Sequence, residues 1–254
     1  MNQTENPAVA ERSQPRGTAA CPLCNEGNAH EFFRDKRRNY LRCQACNLIF
    51  VPSSQFLSEA DEKSRYDFHQ NSPEDLKYCR FLSRMFIRLA PHLTPGSCGL
   101  DFGCGPEPLL SKMFEEAGYP MTTFDYFYKN VPSALSKQYD FITATEVVEH
   151  LHDPGKDLHR LWACLKPGGR LGIMTKFAVD HENFSQWYYK NDRTHVCFFS
   201  RPTFTWLAVR WNADLTFHEN DVVLFRKIAP LARSSKQVES SYFTIPAKSV
   251  SQWS

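Results

Sequence analysis

The chain has no large excess of either charge. Thirty lysines and arginines stand against 28 aspartates and glutamates, a formal net charge of +2. Composition alone therefore gives no reason to expect a polyanion binder. It also lacks any stretch near the roughly 18 consecutive apolar residues that a membrane-spanning helix needs. The first twenty residues have no apolar centre of the kind a secretory signal carries, and they read as a disordered tail. The serine-rich stretch 229–254 reads the same way. There is no internal repeat. The nine cysteines are an odd set. With no export signal, that argues against a disulfide framework and for the cytoplasm.

Four of those cysteines are ordered. Cys21-Pro22-Leu23-Cys24 and Cys43-Gln44-Ala45-Cys46 form C-x2-C-x18-C-x2-C. Each pair can place two thiolates on a tight turn, and four thiolates complete a tetrahedral zinc site. Such a site has no open position, so the zinc would be structural. About thirty residues hold too little apolar surface to fold without a staple of this kind. The ribbon is placed at 21–52, and 53–72, with an acidic patch from Glu59 to Glu62, reads as a linker. The basic run Arg34-Asp35-Lys36-Arg37-Arg38 reads as a solvated hairpin tip. Three roles for the ribbon stay open: presenting that loop to RNA, covering an active site, or bracing the fold.

The rest of the chain alternates strands and helices. Ser72-Pro73-Glu74-Asp75 has the pattern of a helix start, followed by apolar residues at helical spacing from Tyr78 to Leu89. Strands are expected over 98–102, 121–125, 141–144 and 170–175. Helices are expected over 108–117, 147–164 and 202–211. Residues 215–218 and 222–226 would form a closing hairpin. This order predicts an α/β fold, a doubly wound and mostly parallel sheet over 73–228. Only fifteen residues separate Asp125 from Phe141, too few for a further strand and helix, so the third strand–helix unit is expected to be truncated.

Leu100-Asp101-Phe102-Gly103-Cys104-Gly105 lies where the first of these strands passes into a helix. Its glycines let the backbone turn sharply against a ligand. Asp125 ends the next strand, twenty residues on, where an acid can hold a ribose diol. No phosphate-type G-x-x-G extension follows, which argues against a dinucleotide.

These motifs, with Phe141-Ile142-Thr143-Ala144-Thr145-Glu146-Val147-Val148-Glu149-His150-Leu151 and Leu165-Lys166-Pro167-Gly168-Gly169, resemble the class I S-adenosylmethionine-dependent methyltransferases over residues 75–228. The resemblance implies a Rossmann-like methyltransferase fold. It implies that Asp101, Phe102, Gly103 and Gly105 bind or orient the methionine part of S-adenosylmethionine. Asp125 would hold the ribose, and Thr143 and Thr145 would lie beside the methyl group. Tyr126, with Phe127 and Tyr128, would meet the adenine in place of the truncated unit. One departure is Glu107, where the family has a third small residue.

Glu146, Glu149 and His150 fall at i, i+3 and i+4. On a helix starting at Glu146 they would share a face at the ligand-binding edge of the sheet. Glu-x-x-Glu-His with a later Thr194-His195 resembles two metal-dependent groups, the small-RNA 2′-O-methyltransferases and the ubiquinone-pathway O-methyltransferases. That resemblance implies a catalytic Mg²⁺ or Mn²⁺ on Glu146, Glu149, His150 and His195. The competing reading is a capped helix with a bracing histidine. Phe184, Trp187, Tyr188 and Tyr189 are read as core, with a substrate wall as the lesser alternative. The acceptor, small molecule or RNA, and the acceptor atom, oxygen, nitrogen or carbon, stay open, as do the oligomeric state and a binding module without catalysis.

Overall fold

The computed structural model describes residues 19–68 and 75–229. The two expected tails lie outside the described residues apart from positions 19, 20 and 229, and so does the expected helix start at Ser72, Pro73 and Glu74.

The N-terminal part is a hairpin, β1 (Ala29–Arg34) and β2 (Asn39–Cys43), followed by a short β3 (Ile49–Phe50). Each cysteine pair sits on a knuckle closed by backbone bonds, Asn25 N–H to the Cys21 carbonyl and Asn47 N–H to the Cys43 carbonyl. Each ends on an asparagine with positive φ, 63° and 60°, which asparagine tolerates better than most residues. The expected linker is not bare coil. After a 3₁₀ turn at Ser53–Gln55 it forms α1 (Glu59–Asp67), capped by Ser58, with Glu59, Asp61 and Glu62 in its first turn.

Helix α2 spans Leu76–Leu89. Asp75 is its N-cap, accepting from the amides of Lys77 and Tyr78. Then follow β4 (Gly99–Phe102), α3 (Leu109–Glu116) and β5 (Met121–Phe124). Only a 3₁₀ turn, Pro132–Ser136, separates β5 from β6 (Tyr139–Thr145), so the third unit is truncated as expected. The chain continues through α4 (Pro154–Ala163), β7 (Leu165–Met174), the single turn α5 (His181–Phe184), β8 (Cys197–Phe198), α6 (Arg201–Trp211), β9 (Ala213–His218) and β10 (Val222–Lys227).

Six strands form the main sheet in the order β5-β4-β6-β7-β10-β9. The first four are parallel, and β10 runs antiparallel to both β7 and β9. Strand order reverses between β4 and β6, which opens a crevice at their carboxyl ends. Helices α2 and α3 cover one face around Met85, Leu89 and Phe114. Helices α4 and α6 cover the other, around Leu158, Leu161, Phe204 and Leu207. None of the described helices is long and apolar enough to cross a membrane.

The ribbon is part of this fold. Its sheet is completed by β8, in the order β1-β2-β3-β8, with Ile49 opposite Phe198 and Phe50 opposite Cys197. Leu48, Ile49 and Phe50 belong to the same buried cluster as Leu100, Ile142 and Phe225.

Candidate active site

A cleft of about 510 Å³ lies at the carboxyl ends of β4, β5 and β6. Gly103, Cys104, Gly105, Pro106, Asp125, Tyr126, Phe127 and Tyr128 line one side, and Thr145, Glu146, Val147, His150 and His195 the other. Gly103 and Gly105 have φ of 73° and 65°. A Cβ on Gly103 would lie 2.3 Å from Val147 Cγ2, so only glycine fits there. Asp125 organises the floor: Oδ2 accepts the Gly105 amide at 3.0 Å, and Oδ1 accepts those of Phe127 and Tyr128 at 2.8 and 3.1 Å.

Asp101 and Thr143 do not line the cleft; they lie beneath it. Asp101 is buried and accepts from Ser111 Oγ at 3.0 Å and Thr143 Oγ1 at 2.8 Å. Burial pushes its carboxyl up to about 6, against the pull of those two hydroxyls. Thr143 is fully buried and has no open side toward a methyl group. Thr145 does line the cleft, and its Oγ1 is buried with no hydrogen-bond partner among the described residues. Glu107 lines the cleft as well and pairs with Lys112 at 3.3 Å.

The expected helix over 147–164 is interrupted. Glu146 has φ of 53°, Val148–His150 is a 3₁₀ turn, and α4 begins only at Pro154 with Asp153 as N-cap. Proline disfavours helix in the residue before it and is at home in a first turn, which explains the late start. Glu146, Glu149 and His150 therefore share no α-helical face. A tight turn nonetheless brings one donor atom each from Glu149, His150 and His195 within 4.8 Å of one another. Glu146 stands outside that cluster of three and is joined to it through Tyr189, whose hydroxyl donates to both Glu149 Oε1 and Glu146 Oε2.

Glu149 is fully buried, and its Oε2 has no hydrogen-bond partner among the described residues. Burial first, then the nearby Glu146 charge, pushes its carboxyl above the ordinary range. Glu146 is pushed the same way, chiefly by burial. His195 Nδ1 lies 2.8 Å from the Tyr189 carbonyl and His150 Nδ1 3.2 Å from that of Thr194. A carbonyl only accepts, so each Nδ1 donates to it, while His195 Nε2 lies 4.0 Å from Asp192 Oδ2.

Three contributors carried a weak sequence signal. Glu62 and Tyr66 of α1 line the cleft, and Tyr66 packs edge-on against His150 at 5.3 Å. Ser58 with acids at the next turn was the available sign of this helix. Tyr189 sits between two glutamates rather than on a substrate wall. Phe184 is core, packed against Phe32 and Tyr40 of the ribbon, and Tyr188 is 64% exposed outside the cleft. The cleft's aromatic wall is instead Tyr66, Tyr78, Phe81, Phe102 and Tyr126 to Tyr128.

The four ribbon cysteines converge as the spacing demands. Cys21 and Cys46 sulfurs are 3.5 Å apart, and those of Cys24 and Cys43 3.4 Å. These separations are far beyond a disulfide bond and compatible with the edges of a small thiolate tetrahedron.

A family model described as a methyltransferase domain matches residues 72–219. The chain belongs to the class I S-adenosylmethionine-dependent methyltransferases. Among curated relatives, it is 33% identical over 81 residues to a ubiquinone biosynthesis O-methyltransferase of Actinobacillus pleuropneumoniae, covering 30% of this chain and 35% of the relative. It is 27% identical over 107 residues to the protein of that name from Proteus mirabilis, covering 42% and 40%. The matches thus span well under half the length of these relatives. Among solved structures, the fold is similar to the 1,6-didemethyltoxoflavin-N1-methyltransferase of Burkholderia thailandensis, solved with S-adenosylhomocysteine bound. The TM-score is 0.50 and the identity 18%, over 79% of this chain and 99% of that one.

Proposed function

We propose that the protein transfers the methyl group of S-adenosylmethionine to an oxygen of a small diol- or catechol-like acceptor, with a divalent ion held by Glu149, His150 and His195. The observation that carries this is the convergence of those three donor atoms within 4.8 Å, with His150 and His195 lining the glycine-loop cleft and Glu149 buried behind them. Two features fit an ion. Glu149 Oε2 is buried without a partner among the described residues, and desolvating such an atom is costly unless something satisfies it. Each imidazole is oriented by a backbone carbonyl at Nδ1, the usual arrangement for metal-binding histidines. A mixed carboxylate and imidazole set suits Mn²⁺ or another first-row ion better than Mg²⁺, which prefers oxygen. The O-methyltransferase names of the curated relatives support oxygen as acceptor atom.

Methyl transfer from a sulfonium demands an aligned nucleophile, and positioning supplies most of the rate. Asp125 and the Gly103–Gly105 loop set the donor. Tyr66, Phe127 and His150 form an aromatic flank for the acceptor, with α1 above it. Glu146 lies close enough to share the Tyr189 hydroxyl with Glu149, and it is the residue suited to take the acceptor's proton. When bound, a divalent ion lowers the pKa of the acceptor hydroxyl. We assign the four ribbon cysteines to one structural zinc ion.

The test is methyl transfer to a panel of catechols and ribose diols, before and after chelation that leaves the cysteine-bound zinc in place. Activity that falls on chelation and returns with Mn²⁺ supports the assignment. Full activity without any ion at this site overturns it. Calorimetry with S-adenosylmethionine separates an enzyme from a protein that keeps the fold without the cofactor.

A further inference from the structure

Arg38 lies on the tip of the ribbon hairpin, where Lys36 and Arg37 are exposed, yet it is only 4% exposed itself. It forms no ion pair among the described residues. Its guanidinium is spent on backbone carbonyls. Nη1 donates to His195 at 2.7 Å and to Arg193 at 3.3 Å; Nη2 donates to Asp192 at 2.9 Å and to Lys190. Four carbonyls of one loop, 190–195, are thus turned inward onto a single cation. Asp35, on the same tip, accepts from the buried Lys190 ammonium at 3.2 Å. Its other carboxylate oxygen accepts the Arg38 amide, so the tip and the loop are locked reciprocally.

That loop carries His195. The ring's orientation rests on the Tyr189 carbonyl, and its own carbonyl rests on Arg38. The ladder beside it runs from the ribbon to the other ligand loop. Val51 N–H donates to the Val196 carbonyl, and Val196 N–H donates to the Glu149 carbonyl, at 2.9 and 2.8 Å. A buried guanidinium is expensive to desolvate, and an apolar hairpin tip would serve stability as well or better. What a planar five-donor group offers is a fixed geometry for several acceptors at once.

We infer that Arg38 is a positioning residue for the active site: through the carbonyls of 190–195 it sets His195, making the zinc ribbon a working wall of the catalytic centre. This rests on the proposed role of His195 as a ligand, but its own readout does not require that role.

The experiment compares the full-length, zinc-bound protein with Arg38→Met and Arg38→Lys. Zinc content and S-adenosylmethionine affinity report whether the fold is intact. Nitrogen-detected NMR of the imidazoles, assigned with His195→Ala, reports the His195 tautomer, and titration with Mn²⁺ reports the site. Both variants should keep zinc and cofactor affinity. His195 should lose its fixed Nδ1–H signature, and Mn²⁺ affinity should fall roughly tenfold to a hundredfold, as is usual when the group orienting a ligand is removed. Lysine, which keeps the charge without the fork, should fall between arginine and methionine. An unchanged His195 signal and Mn²⁺ affinity in Arg38→Met overturns the inference. So does joint loss of zinc and cofactor binding in both variants, because Arg38 would then be a general folding residue. If wild type binds no Mn²⁺ while the variants still release His195, the metal assignment falls and the positioning role stands.

Discussion

Asp125 and Gly105, twenty residues apart, are joined by a 3.0 Å hydrogen bond from the glycine amide to the carboxylate. The acid expected to hold a ribose is thus also the clamp that shapes the loop facing it. Asp125→Ala should weaken S-adenosylmethionine binding by roughly 1.5–3 kcal/mol, the usual cost of losing charge-assisted hydrogen bonds. Asp125→Asn keeps one acceptor and should lose less. Calorimetry at fixed ionic strength checks both, and equal affinity for wild type and alanine variant would place the ribose elsewhere.

The first knuckle sits directly on the start of α4. Gly155 N–H donates to the Pro22 carbonyl at 3.1 Å, and a Cβ on Gly155 would stand 2.6 Å from the Leu23 carbonyl oxygen. Gly155→Ala should therefore cost about 1–3 kcal/mol by overpacking. It should also speed release of zinc to a chelator. Thermal melts and a colorimetric zinc assay would reveal it, and a variant as stable as wild type would contradict the close approach.

Glu149 and Glu146 are both held above the ordinary carboxylate range, with burial the first cause. An ion must displace any proton from its ligand, so Mn²⁺ affinity should weaken as pH is lowered. Glu149→Gln should bind Mn²⁺ far more weakly and lose only the share of that dependence due to Glu149, because the two imidazoles must still be unprotonated to ligate. A titration series across pH, with zinc occupancy monitored, provides the check.

Asp101 has a folded pKa of about 6 against an ordinary 3.8. The folded protein holds that proton to higher pH than the unfolded chain, so stability from this group falls as pH rises through that window. Above it the full penalty applies. Two units correspond to about 3 kcal/mol, an upper bound on what Asp101→Asn could recover. The variant's stability relative to wild type should accordingly improve from about pH 4 to pH 7 in denaturant titrations. A difference flat across that range would mean Asp101 is not desolvated as described.

Sequence carried the parallel sheet, the truncated third unit and the two cysteine pairs, because each rests on local spacing. It grouped Glu146, Glu149 and His150 on a helical face that did not form, and added His195 by resemblance; the residues that converge are Glu149, His150 and His195. They meet through a 3₁₀ turn and a loop, not along a helix, because Pro154 delays α4 and Glu146 takes a left-handed conformation. Tyr189, which ties Glu146 to Glu149, lay hidden in a run of aromatics whose periodicity says only that they are buried. Arg38 was hidden for the opposite reason. A charged residue in a basic hairpin tip looks solvated, and nothing local tells that a loop more than 150 residues later closes over it.

The pairing of Ile49 with Phe198 also bears on how the chain is made. The knuckles and the β1–β2 pairing are closed by local backbone bonds and can form early, although Phe32, Arg38 and Tyr40 find their cover only in residues 184–195. The edge of β3 must wait for a partner almost 150 residues downstream, leaving a short apolar strand edge uncovered in the interval. Closure is then a late, non-local step, of the sort that makes folding slow. A chain cut between the two would leave one half with an open strand edge and the other with Phe198 and Phe199 stripped of cover.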